Sequence, residues 1–196
     1  MLNIIVLIGL LFLFSKLYNY NPDLPFGSEL GTIDNVPAYS SYYNKNYPKP
    51  SSYFHNNYVN GTFSGFKWQC VEYARRYLII NNSITFKQID NAYQIFDLNN
   101  FFSITDNRIV PIKKCLNGSN IAPKKGSLLI WKPKKNDNIT GHVAIITKVN
   151  LNDIEIAEQN ICNKKWSNNY SRTFKFKYNN GYHIMDDHII GWINII

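Results

Sequence analysis

A cysteine, a histidine and a glutamate are placed along this chain so that they could form the catalytic group of a thiol hydrolase. Cys70 opens a segment with helical periodicity, and the N-terminal end of a helix favours a thiolate, the form of cysteine that attacks carbonyl carbons. His142 opens a predicted strand, and Glu158 lies on the next one. If these strands pair through a tight turn at 150–153, the carboxylate would orient the imidazole and stabilise its protonated form. The pattern predicts a nucleophile, a base and an orienting acid.

The remaining cysteines and histidines give weaker indications of a catalytic or metal-binding role. Cys115 and Cys162 could pair in an oxidising compartment or remain thiols in the cytosol, and either case leaves one cysteine over. No Cys-x-x-Cys spacing occurs, so a structural zinc site is not expected and no metal ligand is predicted. His55, His183 and His188 lie in polar, irregular stretches and have ordinary surroundings.

The elements that must position these residues are predicted to be helices followed by strands. Apolar residues recur at helical spacing over 70–80, and a second helix is predicted over 91–98. Segment 21–62 is rich in Pro, Gly, Ser, Tyr and Asn and is predicted to be ordered but without regular secondary structure. Because short loops separate the strands, an antiparallel meander is expected, and the fold class is α+β, with N-terminal helices packed on an antiparallel sheet. The predicted strands are 126–131, 141–149, 153–160, 171–177 and 189–195.

The composition excludes several other classes of protein. The chain has 196 residues, of which 45% are hydrophobic and 17% charged, as is ordinary for one globular domain. Its formal net charge is +8, but the basic residues occur as scattered pairs rather than as one stripe, so no nucleic-acid partner is predicted. A basic surface would still favour an anionic polymer such as a cell wall, or anionic lipid head groups.

An uninterrupted apolar run at residues 4–14 predicts targeting to a membrane. The run is shorter than the roughly 20 residues that span a bilayer, and it fits the apolar core of a signal peptide better. An uncleaved signal anchor is a second interpretation, and a buried helix of the domain is a third. Residues 1–20 are therefore interpreted as a signal peptide or signal anchor, and residues 21–196 as the catalytic domain. The expected localisation is membrane-anchored or secreted, with the topology left open.

Several motifs resemble one family, in the same order along the chain. Segment 65–78, which contains Cys70, resembles the nucleophile motif of CHAP-type cysteine amidases. More narrowly, it resembles the amidase domain of bifunctional glutathionylspermidine and trypanothione synthetase/amidases. The resemblance covers roughly residues 24–195 and rests on further motifs at 26–31, 36–41, 126–131, 140–146, 156–160, 170–172 and 190–193.

This resemblance implies a papain-like CHAP fold with Cys70 as nucleophile, His142 as base and Glu158 as orienting carboxylate. The implied reaction is hydrolysis of an amide between the glycine carboxyl of glutathione and a polyamine nitrogen. It proceeds through a thioester on Cys70 and needs no metal or cofactor. The implied partner is therefore a small peptide–polyamine or peptide amide.

The same resemblance assigns supporting roles to three more residues. Gln69 contributes to the oxyanion hole, while Arg75 and Asn160 bind the glutathionyl part of the substrate or support the site. Two other functions remain open. The positive charge favours a CHAP enzyme that cleaves peptidoglycan amides, and the same fold could also serve as a catalytically idle binding protein.

Overall fold

Residues 22–135 and 139–196 are described by a computed structural model of this chain. Within them the chain forms one large antiparallel sheet, two small two-stranded sheets and one α-helix. The helix α1 spans Cys70–Asn82, and two 3-10 helices span Ser51–Phe54 and Ala92–Asp97. The strands are β1 Glu29–Ile33, β2 Val36–Tyr39, β3 Asn56–Val59, β4 Thr62–Phe66, β5 Ile84–Thr85, β6 Asn100–Ser103, β7 Ile109–Leu116, β8 Leu128–Trp131, β9 His142–Val149, β10 Asp153–Ala157, β11 Arg172–Tyr178, β12 Tyr182–Ile184 and β13 Ile189–Ile195.

The large sheet is covered by side chains on both faces. Its nine strands, counted in the described residues, run in the order β12-β11-β10-β9-β8-β13-β7-β6-β5, and neighbouring strands are antiparallel. Successive side chains of a strand point to opposite faces, and every residue of β8 is buried. Leu128 joins the core cluster that contains Leu78 of α1, whereas Leu129 joins a second cluster with Ile156 and Trp192. The helix therefore packs on one face of the central strands.

Two tight hairpins form in the segment that leads to α1, which corrects the prediction that 21–62 lacks regular secondary structure. Asp34 and Asn35 connect β1 to β2, and Asn60 and Gly61 connect β3 to β4. These four residues have positive φ angles of 48°, 61°, 48° and 81°, which two-residue hairpin turns require. An Asn-Gly pair is the sequence signal for such a turn. The β3–β4 hairpin leads directly into α1.

The helical content is lower than the sequence predicted. The first predicted helix is present as α1 and extends to Asn82. The second, predicted over 91–98, is a 3-10 helix whose buried residues Ala92 and Ile95 lie three positions apart, which suits three residues per turn. The fold remains α+β, but antiparallel sheet dominates it. The expected layer of N-terminal helices is reduced to a single α-helix within the described ranges.

The structure corrects the prediction of a membrane-anchored or secreted protein with a membrane partner. In residues 22–135 and 139–196, no helix is long and apolar enough to cross a membrane. The helix α1 has 13 residues, whereas roughly 20 are needed to span a bilayer. The apolar run at 4–14 and the signal segment predicted at 1–20 lie outside the described residues.

Candidate active site

Cys70 begins α1 and lines a cavity of about 560 Å³. The helix starts here because Gln69 is extended (φ −86°, ψ 158°) and its carbonyl accepts the first helical hydrogen bond from the N–H of Tyr73, at 3.1 Å. The free N–H groups of the first turn and the helix dipole favour negative charge at this end. A thiolate at this position is therefore stabilised by its own backbone.

His142 and Glu158 are joined by a hydrogen bond. His142 is the first residue of β9, Glu158 follows β10, and the antiparallel pairing of these strands through the 150–153 turn brings the two side chains together. Nε2 of His142 lies 2.9 Å from Oε2 of Glu158, and both side chains are buried. Because Nε2 is engaged in this way, Nδ1 is left for the thiol of Cys70, which is within hydrogen-bonding reach of the imidazole.

The Glu158 carboxylate is held by more than the histidine. Arg172, on the neighbouring strand β11, donates from Nε to Oε1 at 2.5 Å and from Nη2 to Oε2 at 2.8 Å. The hydroxyl of Ser171 donates to Oε1 at 3.2 Å. Burial would raise the pKa of Glu158, but the hydrogen bonds from His142 and Arg172 hold it at about 2. The carboxylate is therefore charged throughout the neutral range.

The protonated form of His142 is stabilised by the groups around it. Burial would lower the pKa of the imidazole, but the negative charge of a thiolate at Cys70, a hydrogen bond with that sulfur and the Glu158 carboxylate raise it to about 9. The indole ring of Trp131 lies 5.4 Å from the imidazole, centroid to centroid, and is tilted by 54° relative to it. At neutral pH, the arrangement favours an imidazolium beside Cys70.

The side-chain amide of Gln69 is oriented so that its NH₂ group stays available. Nδ2 of Asn160 donates to Oε1 of Gln69 at 2.8 Å, and the hydroxyl of Ser41 donates to Oδ1 of Asn160 at 2.5 Å. Nε2 of Gln69 is buried and has no hydrogen-bond partner among the described residues. Because Gln69 and Cys70 line the same cavity, this N–H group can donate to an oxygen that develops negative charge beside the thiol.

Arg75 lies in the wall of the cavity rather than projecting freely into it. The residue is only 2% exposed, and its guanidinium donates to the carbonyls of Ser64 at 2.8 Å and Lys87 at 3.4 Å. The guanidinium carbon lies 4.4 Å from the ring centroid of Phe86. Burial lowers the pKa of Arg75 to about 10, although the charge of Glu72 opposes this shift. Its Nε has no partner among the described residues.

A buried polar network lies behind Gln69. The carboxylate of Glu72 accepts hydrogen bonds from Arg76 at 2.7 Å and from Gln159 at 3.0 Å. The amide of Gln159 also donates to the backbone carbonyl of Gln69 at 3.1 Å and accepts from the N–H of Tyr39 at 2.8 Å. The network therefore fixes Gln69, the residue immediately before Cys70.

The structure brings the predicted site residues to one place in two layers. The layer that lines the cavity contains Cys70 and four further predicted residues, Gln69, Arg75, His142 and Asn160. Glu158 forms the second layer, behind the imidazole of His142. All three cysteines are in described parts of the chain and none forms a disulfide. This leaves the Cys70 thiol free to react.

The sequence profile of the CHAP domain matches residues 61–160, which include Cys70, His142 and Glu158. The chain belongs to the CHAP domain family. The CHAP match begins within the turn that joins β3 to β4 and ends three residues beyond β10.

This CHAP domain is similar to one part of much longer proteins. Over 181 residues it is 35% identical to the bifunctional glutathionylspermidine synthetase/amidase of Escherichia coli (strain K12), an alignment that covers 87% of this chain and 29% of that protein. Over 172 residues it is 31% identical to the trypanothione synthetase of Crithidia fasciculata, covering 87% of this chain and 26% of that protein. The chain thus spans less than a third of the length of these curated relatives.

Sequence reasoning assigned no role to several residues that shape this CHAP site. Arg172 holds Glu158 from a strand that lies outside the matched segment, and no local signal links the two residues. Glu72 and Arg76 are spaced i, i+4 on α1, a pattern that indicates an ion pair but not its burial. Gln159 lies between the predicted site residues Glu158 and Asn160. Because successive side chains of an extended chain point to opposite sides, Gln159 could have been expected to contact a different part of the protein.

Proposed function

We propose that this CHAP domain is a cysteine amidase that hydrolyses the amide between the glycine carboxyl of glutathione and a polyamine. The observation that carries the proposal is one cavity containing a thiol beside an imidazolium, together with an unpartnered amide N–H at Gln69. The substrate class follows from relatives named for glutathionylspermidine and trypanothione. The proposed fold is papain-like, and the amidase domain comprises residues 21–196.

In the first step, the Cys70 sulfur attacks the carbonyl carbon of the scissile amide. The carbonyl oxygen becomes negatively charged and accepts hydrogen bonds from Nε2 of Gln69 and from the backbone N–H of Cys70. His142 then donates its proton to the amide nitrogen as the C–N bond breaks. The polyamine leaves, and the glutathionyl group remains on Cys70 as a thioester.

In the second step, water hydrolyses the thioester. The neutral imidazole of His142 takes a proton from the attacking water, and the oxygen again accepts the Gln69 amide hydrogen bond. The C–S bond breaks, the carboxylic acid of glutathione leaves and gives its proton to solvent, and the thiolate and imidazolium are restored. Throughout the cycle, Glu158 holds the ring through Nε2 so that Nδ1 faces the sulfur.

Two residues are proposed to support the reaction without touching the bond that breaks. Asn160 fixes the Gln69 amide, so it acts by positioning the oxyanion donor. Arg75 keeps a positive charge in the cavity wall at neutral pH, because its pKa is about 10. Its charge and unpartnered Nε suit a carboxylate of the glutathionyl group.

A second candidate substrate is favoured by charge. A chain with a net charge of +8 is attracted to an anionic polymer such as peptidoglycan rather than to a cationic polyamine. The full chain is therefore incubated separately with glutathionylspermidine and with peptidoglycan, and released thiols, amines and wall fragments are measured by mass spectrometry. Release of glutathione and spermidine supports the proposal, whereas solubilised wall fragments without glutathione release would replace it by the second candidate.

Gly141, immediately before the histidine, gives a test of how strictly the imidazole must be placed. Its φ angle is 66°, and a Cβ atom there would lie 2.5 Å from the carbonyl oxygen of Trp131. We expect Gly141→Ala to lower kcat/KM for glutathionylspermidine by about 10²-fold, because the backbone shift displaces His142. Steady-state kinetics of purified, folded variants measure this effect.

A matched control is available at Gly126. This glycine also has a positive φ, 85°, but an added Cβ would meet no atom of the described residues within 4 Å. Gly126→Ala should therefore introduce a backbone strain similar to that of Gly141→Ala, but it should leave kcat/KM near the wild-type value. Equal losses in the two variants would show that general destabilisation, and not displacement of the histidine, causes the effect.

A further inference from the structure

An ammonium group is already bound by aromatic rings next to the cavity. Nζ of Lys49 lies 4.1 Å from the ring centroid of Phe54, 4.6 Å from that of Tyr53 and 5.7 Å from that of Tyr43. Tyr53 packs edge-on against both other rings, at 5.1 and 4.8 Å between centroids. We call Tyr43, Tyr53 and Phe54 the aromatic cage. Such a group of ring faces is a recognised means of binding alkylammonium ions.

The aromatic cage is continuous with the cavity that contains Cys70. Phe54 lines that cavity and is 59% exposed, and Tyr43 is 42% exposed, so the rings face solvent rather than the core. In the described residues, the Lys49 ammonium forms no ion pair with a carboxylate. Arg75 and Arg76 also lie against rings, but hydrogen bonds to protein oxygens hold both of them. Lys49 therefore differs from them in being an exposed cation that ring faces hold.

We propose that the aromatic cage is the subsite for an ammonium group of the substrate's polyamine, and that Lys49 occupies it until the substrate displaces it. This inference rests on the proposed function. The exposed Lys49 side chain can move into solvent, while the apolar side chains of Phe66, Ile89 and Ile161 in the same cavity suit the methylene groups between amines. A ring face attracts a cation without adding a carboxylate. The subsite therefore provides a local attraction that opposes the repulsion between a cationic polyamine and a basic protein.

Removing the competing ammonium should favour the cationic substrate. The measured quantity is kcat/KM for glutathionylspermidine divided by kcat/KM for a neutral N-alkylamide of glutathione of similar length. We expect Lys49→Ala to raise this ratio roughly 2- to 5-fold, the range that a cation–π contact near the surface supplies. Lys45→Ala is the matched control, because it removes the same charge from an exposed lysine of the same segment that contacts no ring among the described residues; its ratio should be that of the wild type.

A double variant distinguishes the cage from a general charge effect. Lys49→Ala combined with Phe54→Leu should lose the gain, and the exposed position of Phe54 makes this substitution compatible with folding. Spermidine binding by calorimetry gives a second readout, in which Lys49→Ala binds more tightly than the wild type and the double variant more weakly than Lys49→Ala.

The outcomes separate this inference from the proposed function. If the wild type hydrolyses neither glutathione amide, the proposed function fails, and the calorimetry still decides whether the cage binds an alkylammonium ion. If both amides are hydrolysed but Lys49→Ala changes neither the ratio nor spermidine affinity beyond Lys45→Ala, the cage inference is overturned. Lys49 would then serve only to fix the segment that carries these rings.

Discussion

Replacing Cys70 by alanine should abolish amide hydrolysis, with kcat/KM falling by at least about 10³-fold to the background rate. The proposed reaction forms a covalent bond to this sulfur, and no other nucleophile of the cavity stands beside the imidazole of His142 among the described residues. Cys70 is buried at the start of α1, and alanine keeps the helix propensity there, so the variant should remain folded. Glutathione release from glutathionylspermidine measures the effect.

Cys162→Ala is the control for this substitution. Cys162 is an exposed, free cysteine, so its removal should leave kcat/KM unchanged. Iodoacetamide should inactivate the wild type and Cys162→Ala alike, and substrate should slow the inactivation of both. A Cys70→Ala variant that keeps more than about a tenth of the wild-type activity would remove Cys70 from the mechanism.

Replacing Glu158 by glutamine should lower kcat/KM by about 10²- to 10³-fold and shift its alkaline limb to lower pH. In the wild type, the pKa of His142 is about 9, above its ordinary value of 6.5, and the Glu158 carboxylate is one of the causes. Glutamine preserves the shape of the side chain but removes the charge that stabilises the imidazolium. Activity should therefore begin to fall at a pH clearly below 9, and the pH profile of kcat/KM measures this.

The same substitution should change the pH dependence of stability. A raised pKa means that the imidazolium contributes stability that is fully present below pH 6.5 and is lost as pH rises through about 9. The difference in Tm between the wild type and Glu158→Gln should therefore shrink over that interval. Glu155 lies on the same strand β10 but is paired with Lys148 at the surface. Glu155→Gln should therefore leave unchanged both the pH profile of kcat/KM and the pH dependence of Tm. An unchanged alkaline limb in Glu158→Gln would contradict the assigned role.

Local sequence patterns predicted the elements that carry the proposed nucleophile and base. The helical spacing after Cys70 and the apolar strands on either side of the 150–153 turn are short-range signals, so α1, β9 and β10 were placed within a few residues of their observed bounds. The antiparallel pairing of the last two strands then brought His142 and Glu158 within hydrogen-bonding distance.

Contacts between distant segments could not be predicted in this way. The bond between Arg172 and Glu158 depends on β11 pairing with β10, and the bond between Asn160 and Ser41 joins residues 119 apart. Neither pair has a local signal, because register between distant segments is decided by the packing of the whole sheet. The type of the second helix, Ala92–Asp97, could not be predicted either, because its apolar residues fit both the α and the 3-10 spacing over so short a span.

A partition experiment tests whether a thioester on Cys70 lies on the reaction path. The full chain is supplied with glutathionylspermidine, and separately with a neutral glutathione N-alkylamide, at one fixed concentration of hydroxylamine. If both substrates leave the same acyl group on Cys70, hydroxylamine and water compete for the same thioester. The ratio of glutathione hydroxamate to glutathione will then be identical for the two amines. A ratio that depends on the leaving amine, or hydrolysis without any hydroxamate, would mean that water attacks the amide directly and would contradict the cysteine amidase mechanism.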